Sequence, residues 1–407
     1  MDIEIRAINP DEFTAFQETM GIAFSFDPKP EDEERFRHVF EFDRSVAAFD
    51  GDQIVGTGGA FSFDLTVPGG RTLPMGGTTV ITVLPTHRRR GILRRMMRFH
   101  LDEVRERGEP LAGLWASESV IYGRFGYGAS TFHVRVEIER NHAALDLPFQ
   151  IPGRTRMITA EEALRIYPEV YEAARLTNPG YLSRTPLWWE HERLADPEHW
   201  RGGATARRHL VYEEDDEVRG YAHFRTKDKW EEGQPSNELW VAEITSVDAA
   251  ARAALWERLL NVDLVKTVKW WNMPVDDPVI NWLANPRRMK RSLGDALWLR
   301  VMDVAAVLTG RQYAAAGRIV FSLTDEFCPW NEGTYVLDAG PEGAECVRTD
   351  AEAEIALRAR DLGAIFLGGQ SLQSLARAGL VSGDPAALRR ADAMFAWHPA
   401  PYCPEVF

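Results

Sequence analysis

The stretch Val80 to Arg95, VITVLPTHRRRGILRR, restricts the fold more than any other part of the chain. Val80, Ile81 and Val83 are β-branched, as a buried strand favours. Leu84-Pro85 ends that strand, because proline lacks an N–H for the ladder and restricts the residue before it. Thr86 to Gly91 form a short basic loop. From Ile92 the apolar residues recur at Leu93, Met96, Met97, Leu101 and Val104, which is helical spacing, and Gly108 and Pro110 punctuate the end. A strand therefore feeds a helix through a cationic loop. Free N–H groups and the dipole make such a helix entrance an anion site suited to a diphosphate. An exposed basic turn is the bland alternative, but this order of elements is much rarer than a basic run alone.

The stretch resembles motif A of the GCN5-related N-acetyltransferases (GNAT), V-x-P-x-x-R-R-x-G, read here as Val83, Pro85, Arg88 or Arg89, Arg90 and Gly91. The resemblance implies that the loop grips the pyrophosphate of acetyl-CoA. It also implies that the preceding strand splays from its neighbour, leaving amides for the pantetheine arm and the thioester carbonyl.

At 407 residues the chain predicts two or three domains, with the 45% hydrophobic and 27% charged content of a soluble globular protein. No apolar run approaches membrane-spanning length, and the start, MDIEIRAINP, has no secretory pattern. Three scattered cysteines, Cys328, Cys346 and Cys403, argue for a reducing, cytoplasmic setting and against structural zinc; no metal is expected. The formal charge of −14 disfavours nucleic acid as a partner and favours a cationic small molecule.

Three blocks follow, residues 1–148, 149–293 and 294–407. In the first, Ile3 to Ala7 reads as a strand, and Asp11 opens a helix carrying Phe13, Phe16 and Met20. A second helix is expected from Pro30. Asp50-Gly51 and Pro68-Gly69-Gly70 mark hairpins, and Phe132 to Arg140 alternates as a last strand. The second block repeats this weakly. Its counterpart strand, Glu238 to Thr245, precedes Ser246 to Ala251, which has neither the arginine pair nor the glycine. The third block reads as a helix near Val304, strands at 318–324, 333–338 and 344–348, then helices at 351–360, 372–378 and 385–395. The expected fold class is mixed α/β (α+β): tandem GNAT-like domains, the second degenerate, and a sterol-carrier-like domain.

That layout resembles the Eis ("enhanced intracellular survival") N-acetyltransferases over essentially the whole chain. The specific stretches are Pro85 to Gly91, and Ala116-Ser117-Glu118 with Ile121 to Gly128. The resemblance implies acetyl-CoA contacts from Ile81, Thr82, Val83, Arg88, Arg89, Arg90, Gly91, Ile92, Leu93, Arg94, Ser117 and Glu118. It further implies Tyr122 as general acid, the carboxylate of Phe407 as general base, and a homohexamer. Phe24, Asp27 and Glu405 are the candidates for holding the amine.

Chemistry treats the two roles unequally. Tyrosine, of pKa about 10, is matched to protonating a thiolate of about 8.5. From the residues alone, Tyr122 packing beside Phe125 and Tyr127 is an equal alternative. A terminal carboxylate near 3.5 is a poor base for an ammonium near 10, and works only by desolvation, through a water or by orientation. The expected function is acetyl-CoA-dependent acetylation of a polycationic amine, aminoglycoside- or polyamine-like. Protein lysine acetylation, or lipid binding with a vestigial transferase, are the competing readings.

Overall fold

Tight turns start the first sheet where the glycines demand them. Gly51 (φ 61°) joins strand β2 to β3, and Gly69 and Gly70 (φ 97° and 76°) join β3 to β4. The computed structural model describes residues 3–407. Its first strands are β1 (Glu4–Arg6), β2 (Val46–Asp50), β3 (Gln53–Thr66), β4 (Thr72–Val83) and β5 (Leu111–Trp115). Helices α1 (Phe13–Phe24), α2 (Pro30–Val39), α3 (Ile92–Glu106) and the one-turn α4 (Ser119–Tyr122) accompany them. The chain divides into two compact units, Met1–Thr131 with Ala296–Phe407, and Phe132–Asp295.

In the first unit the sheet runs β1-β2-β3-β4-β5, then Leu297–Val301, then Gly128–Ala129. This corrects the expected block boundaries. The strand Phe132–Glu139 belongs to the second sheet, between Lys290–Asp295 and Val265–Pro274. Its place beside β5 is taken by Leu297–Val301, which the sequence grouped with the third block. Alternation in Phe132 to Arg140 specifies a half-buried strand, but not the partner it pairs with. Helix α3 packs on this sheet with two faces: Ile92 and Met96 meet Val46, Ala48 and Val55, while Met97, Leu101 and Val104 meet Leu114, Tyr122, Phe125 and Tyr127. Phe327 and Met302 complete the latter cluster, tying α3 to the C-terminal segment. Buried Arg44 pairs with Glu109 (2.5 Å) and the Ser62 hydroxyl (2.8 Å), pinning the start of β2 beneath the end of α3.

The C-terminal part of this unit carries a five-stranded sheet ordered Gly343–Arg348, Gly333–Gly340, Gly317–Thr324, Ile355–Arg358, Ser382–Gly383. The helix expected over 351–360 is not there. Ile355–Arg358 is a strand parallel to Gly317–Thr324, with Ile355 and Leu357 inward and Ala356 and Arg358 outward, and the helix begins at Ala359. That period-2 burial is the strand signature that a short apolar run conceals. The tail, Pro401 to Glu405, is buried.

The second unit holds a seven-stranded sheet in which Asn237–Ser246 and Val265–Pro274 run parallel, as β4 and β5 do. Trp256 and Trp270, 5.9 Å apart, anchor its core. Among the described residues no helix is long and apolar enough to cross a membrane.

Candidate active site

Strands β4 and β5 pair only at Met75↔Leu111, Gly76↔Ala112 and Gly77↔Gly113, and then diverge. The cause lies on the other side of β4. Thr57 faces Thr82 while Gly59 faces Thr79, so Val80 and Ile81 stand opposite Gly58 alone, a bulge. Val80 has φ 46°, a costly conformation for a β-branched residue. The Thr57 hydroxyl supports it, donating to the Val80 carbonyl at 2.8 Å and lying 2.6 Å from Thr82 Oγ1. The bulge turns the end of β4 away from β5 and opens a cleft.

Pro85 ends the strand in a short turn. His87 Nε2 lies 3.2 Å from Asp50 Oδ2, and Thr86 Oγ1 lies 2.8 Å from His87 Nδ1, which straps the loop to the β2–β3 hairpin. Arg88 Nε donates to the Val83 carbonyl at 3.3 Å. Arg89 (φ 64°) and Gly91 (φ 78°) then bend the chain into α3. Gly91 caps that helix with no side-chain acceptor, and no acidic residue stands in the first turn. A helix entrance left open in this way offers free amides to an anion.

Two adjoining cavities fill the cleft. The larger, about 810 Å³, is lined by Ile81, Thr82, Val83, Arg88, Arg89, Gly91, Ile92, Leu93, Arg94, Ser117 and Glu118. Of the residues expected at acetyl-CoA only Arg90, exposed on the loop, is not part of this lining. His87, Ile121, Arg124 and Phe125 also line it. They lie within the two motif stretches, and their position inside those motifs was the available signal. The open helix end and the basic wall suit a diphosphate-bearing co-substrate. Among the described residues no group of three or more His, Cys, Asp or Glu is placed to hold a metal.

The smaller cavity, about 350 Å³, is lined by Thr78, Thr79, Val80, Trp115, Ala116, Val406 and Phe407, and shares Phe24, Ile81, Ser117 and Tyr122 with the larger. Tyr122 therefore stands at the junction. It is 6% exposed, and its ring lies edge-on to Tyr127 at 6.1 Å. Burial raises its pKa above the usual tyrosine value; a hydrogen bond with Ser117 works against the shift and nearby Glu118 with it. The phenol thus holds its proton at neutral pH. The Phe407 ring packs on Phe63 at 5.0 Å. Of the amine candidates, Phe24 borders both cavities and is 43% exposed. Asp27 is exposed and borders neither, while Glu405 is buried in the tail, 2% exposed, and also borders neither.

In the second unit the corresponding turn differs. Asp248 caps the helix Ala249–Leu260, accepting from the Ala251 amide at 2.8 Å, and pairs with Arg219 at 2.6 Å. A carboxylate already occupies the helix end that a phosphate would need.

Comparison with known proteins finds three domain families along the chain. The acetyltransferase (GNAT) domain family matches residues 4–130, a second acetyltransferase (GNAT) domain family matches 180–301, and the sterol carrier protein domain family matches 304–404. An uncharacterized N-acetyltransferase of Streptomyces avermitilis is 40% identical over 413 residues, all of both chains. The N-acetyltransferase Eis of Mycobacterium tuberculosis is 34% identical over 378 residues, 90% of each. The crystal structure of Eis1 from Mycobacterium abscessus superposes with a TM-score of 0.86 at 30% identity, covering both chains fully. With the bulged β4, the open α3 and the tandem layout, these likenesses make the chain a GNAT acetyltransferase of the Eis family.

Proposed function

We propose that this enzyme, working in the cytoplasm as a homohexamer, transfers the acetyl group of acetyl-CoA directly to an amine of a small polycation, aminoglycoside- or polyamine-like. The observation that carries the reading is Tyr122 at the junction of two cavities, one ending at the open α3 entrance and the other at Phe407. In this reading the loop Arg88 to Gly91 and the α3 amides hold the diphosphate, while Ile81 to Val83 run beside the pantetheine arm. Tyr122 gives its proton to the departing thiolate. The Phe407 carboxylate orients the attacking amine and takes up its surplus proton. None of the residues lining the smaller cavity carries an acidic side chain. One amine enters there, and the other charges of a polycation stay outside, toward the acidic Asp27 and Glu31 to Glu34 segment that follows Phe24.

The test is acetyl-CoA turnover by the full-length protein, read as free thiol, against an aminoglycoside, spermidine, simple monoamines and a lysine peptide. Faster turnover with the polycations is expected. Turnover with the peptide alone would favour protein acetylation, and none with any amine would remove the catalytic reading. Sedimentation of the same preparation reports the assembly.

A further inference from the structure

Thr78 stands on β4 one residue past Gly77↔Gly113, the last pair joining β4 to β5, and borders the smaller cavity with Tyr122 and Phe407. Its Oγ1 lies 2.7 Å from His100 Nε2 and 2.9 Å from the Tyr127 hydroxyl. Thr78 and His100 are 2% exposed and Tyr127 is fully buried.

The protons follow from what each group can do. Burial, with the Arg44 cation second, pushes His100 down to about 3, so its imidazole is neutral. Its Nδ1 has no partner among the described residues. With the single proton on Nε2, His100 donates to Thr78 and leaves at Nδ1 a bare nitrogen, which is tolerated better than an orphaned N–H. Burial likewise keeps the Tyr127 phenol protonated, with Thr78 as its hydrogen-bond partner. If Tyr127 accepted from Thr78, its own proton would be stranded in the core, so it too donates. A threonine oxygen accepts two hydrogen bonds and donates one. Both acceptor positions are taken. In this arrangement the remaining hydroxyl proton has no protein acceptor among the described residues, but Thr78 borders the smaller cavity, where solvent or substrate can take it, and a hydroxyl that accepts twice is the stronger donor.

We propose that Thr78 is a catalytic residue, whose hydroxyl donates to the acetyl oxygen as negative charge gathers on it. This rests on the acetylation reading above. The neutral amine forms a C–N bond to the thioester carbon, and the carbonyl pair moves onto oxygen, facing the Thr78 proton. When the pair returns, the C–S bond breaks and the thiolate takes the Tyr122 proton. The surplus proton on nitrogen leaves to the Phe407 carboxylate. With no lone pair left over, Thr78 cannot act as a base toward the ammonium. Its contribution is to the adduct.

The test compares Thr78→Val, Thr78→Ser and the double variant Thr78→Val/Tyr127→Phe in the full-length enzyme. Losing one oxyanion donor lowers kcat by roughly 10²–10³, so Thr78→Val should do this while KM for acetyl-CoA stays within about twofold. Thr78→Ser, which keeps the hydroxyl, should stay within about tenfold of wild type. Thr78→Val strands the Tyr127 proton and loses stability. The double variant relieves this, and should unfold later than Thr78→Val yet remain as slow. Recovery of kcat in the double variant would make the role structural and overturn the assignment, as would a Thr78→Val enzyme of wild-type rate. A wild-type protein that acetylates no amine removes the function and this assignment together. An active wild type beside an equally active Thr78→Val removes the assignment alone.

Discussion

Tyr122→Phe keeps the buried ring and its edge-on contact with Tyr127, and removes only the hydroxyl that Ser117 holds. Losing that one hydrogen bond costs stability about 1 kcal/mol. The kinetic loss should be far larger. A positioned acid is worth roughly 10²–10⁴, so kcat should fall by that factor, which is about 2.7–5.4 kcal/mol of barrier. With the diphosphate held at the loop and the α3 entrance, as proposed, acetyl-CoA affinity should hardly change. Because burial raises the phenol above its ordinary pKa, the acid form persists past pH 10. The wild-type rate should therefore show no loss on the alkaline side that can be assigned to this group below that pH.

The leaving group separates an acid from a packing residue. An acetyl thioester of a much more acidic thiol departs without a proton, so the deficit of Tyr122→Phe should shrink toward unity with such a donor and stay full with acetyl-CoA. The assay is amine acetylation followed by product mass, with calorimetry for CoA binding. If the variant turns over acetyl-CoA at near wild-type rate, or if its deficit is the same for both donors, proton donation by Tyr122 is wrong.

Arg89→Ala with Gly91→Glu removes a proposed phosphate partner and sets a like charge at the helix entrance, in a position whose φ of 78° also strains any side chain; calorimetry should show acetyl-CoA binding lost while thermal unfolding shows the fold kept. Phe24→Ala should raise the amine KM several-fold, since Phe24 borders both cavities, whereas Asp27→Asn should leave it within about twofold for a monoamine, read from initial rates. Appending a peptide after Phe407 keeps the ring on Phe63 at 5.0 Å and turns the carboxylate into an amide, so acetyl transfer should fall at least ~100-fold with acetyl-CoA binding intact. An active extended enzyme would show the carboxylate to be a bystander.

The basic wall of the larger cavity is legible because its residues are contiguous. Strand, proline, basic loop and helix occupy one stretch, and the backbone that binds a diphosphate needs residues in order rather than brought from afar. The bulge at Val80 was not legible, since it depends on the Thr57 hydroxyl from another strand. The smaller cavity is less legible for the same reason: it is assembled from α1, β4, the Trp115–Tyr122 segment and the tail. Charge singles out Asp27 and Glu405, but the exposure of Asp27 and the burial of Glu405 are tertiary facts. The exchange of Phe132–Glu139 for Leu297–Val301 was hidden because alternation reports a face, and pairing is decided by the neighbour.

The two GNAT domains show how little separates an open helix entrance from a sealed one. Both follow a strand that parallels its neighbour and then leaves it. In the first, α3 begins at a glycine with no side-chain acceptor and no acidic residue in its first turn, so the dipole and its amides face the cavity uncompensated. In the second, the Asp248 carboxylate satisfies the Ala251 amide and is neutralised by Arg219. An arriving phosphate there would have to displace a cap worth about 1 kcal/mol and meet a like charge at contact distance. The loops differ in charge as well, since Arg88 to Arg90 precede the first helix and Ser246 to Ala251 holds no arginine. At the cap itself the difference is one side chain, glycine at 91 against aspartate at 248, placed where a helix has amides to spare.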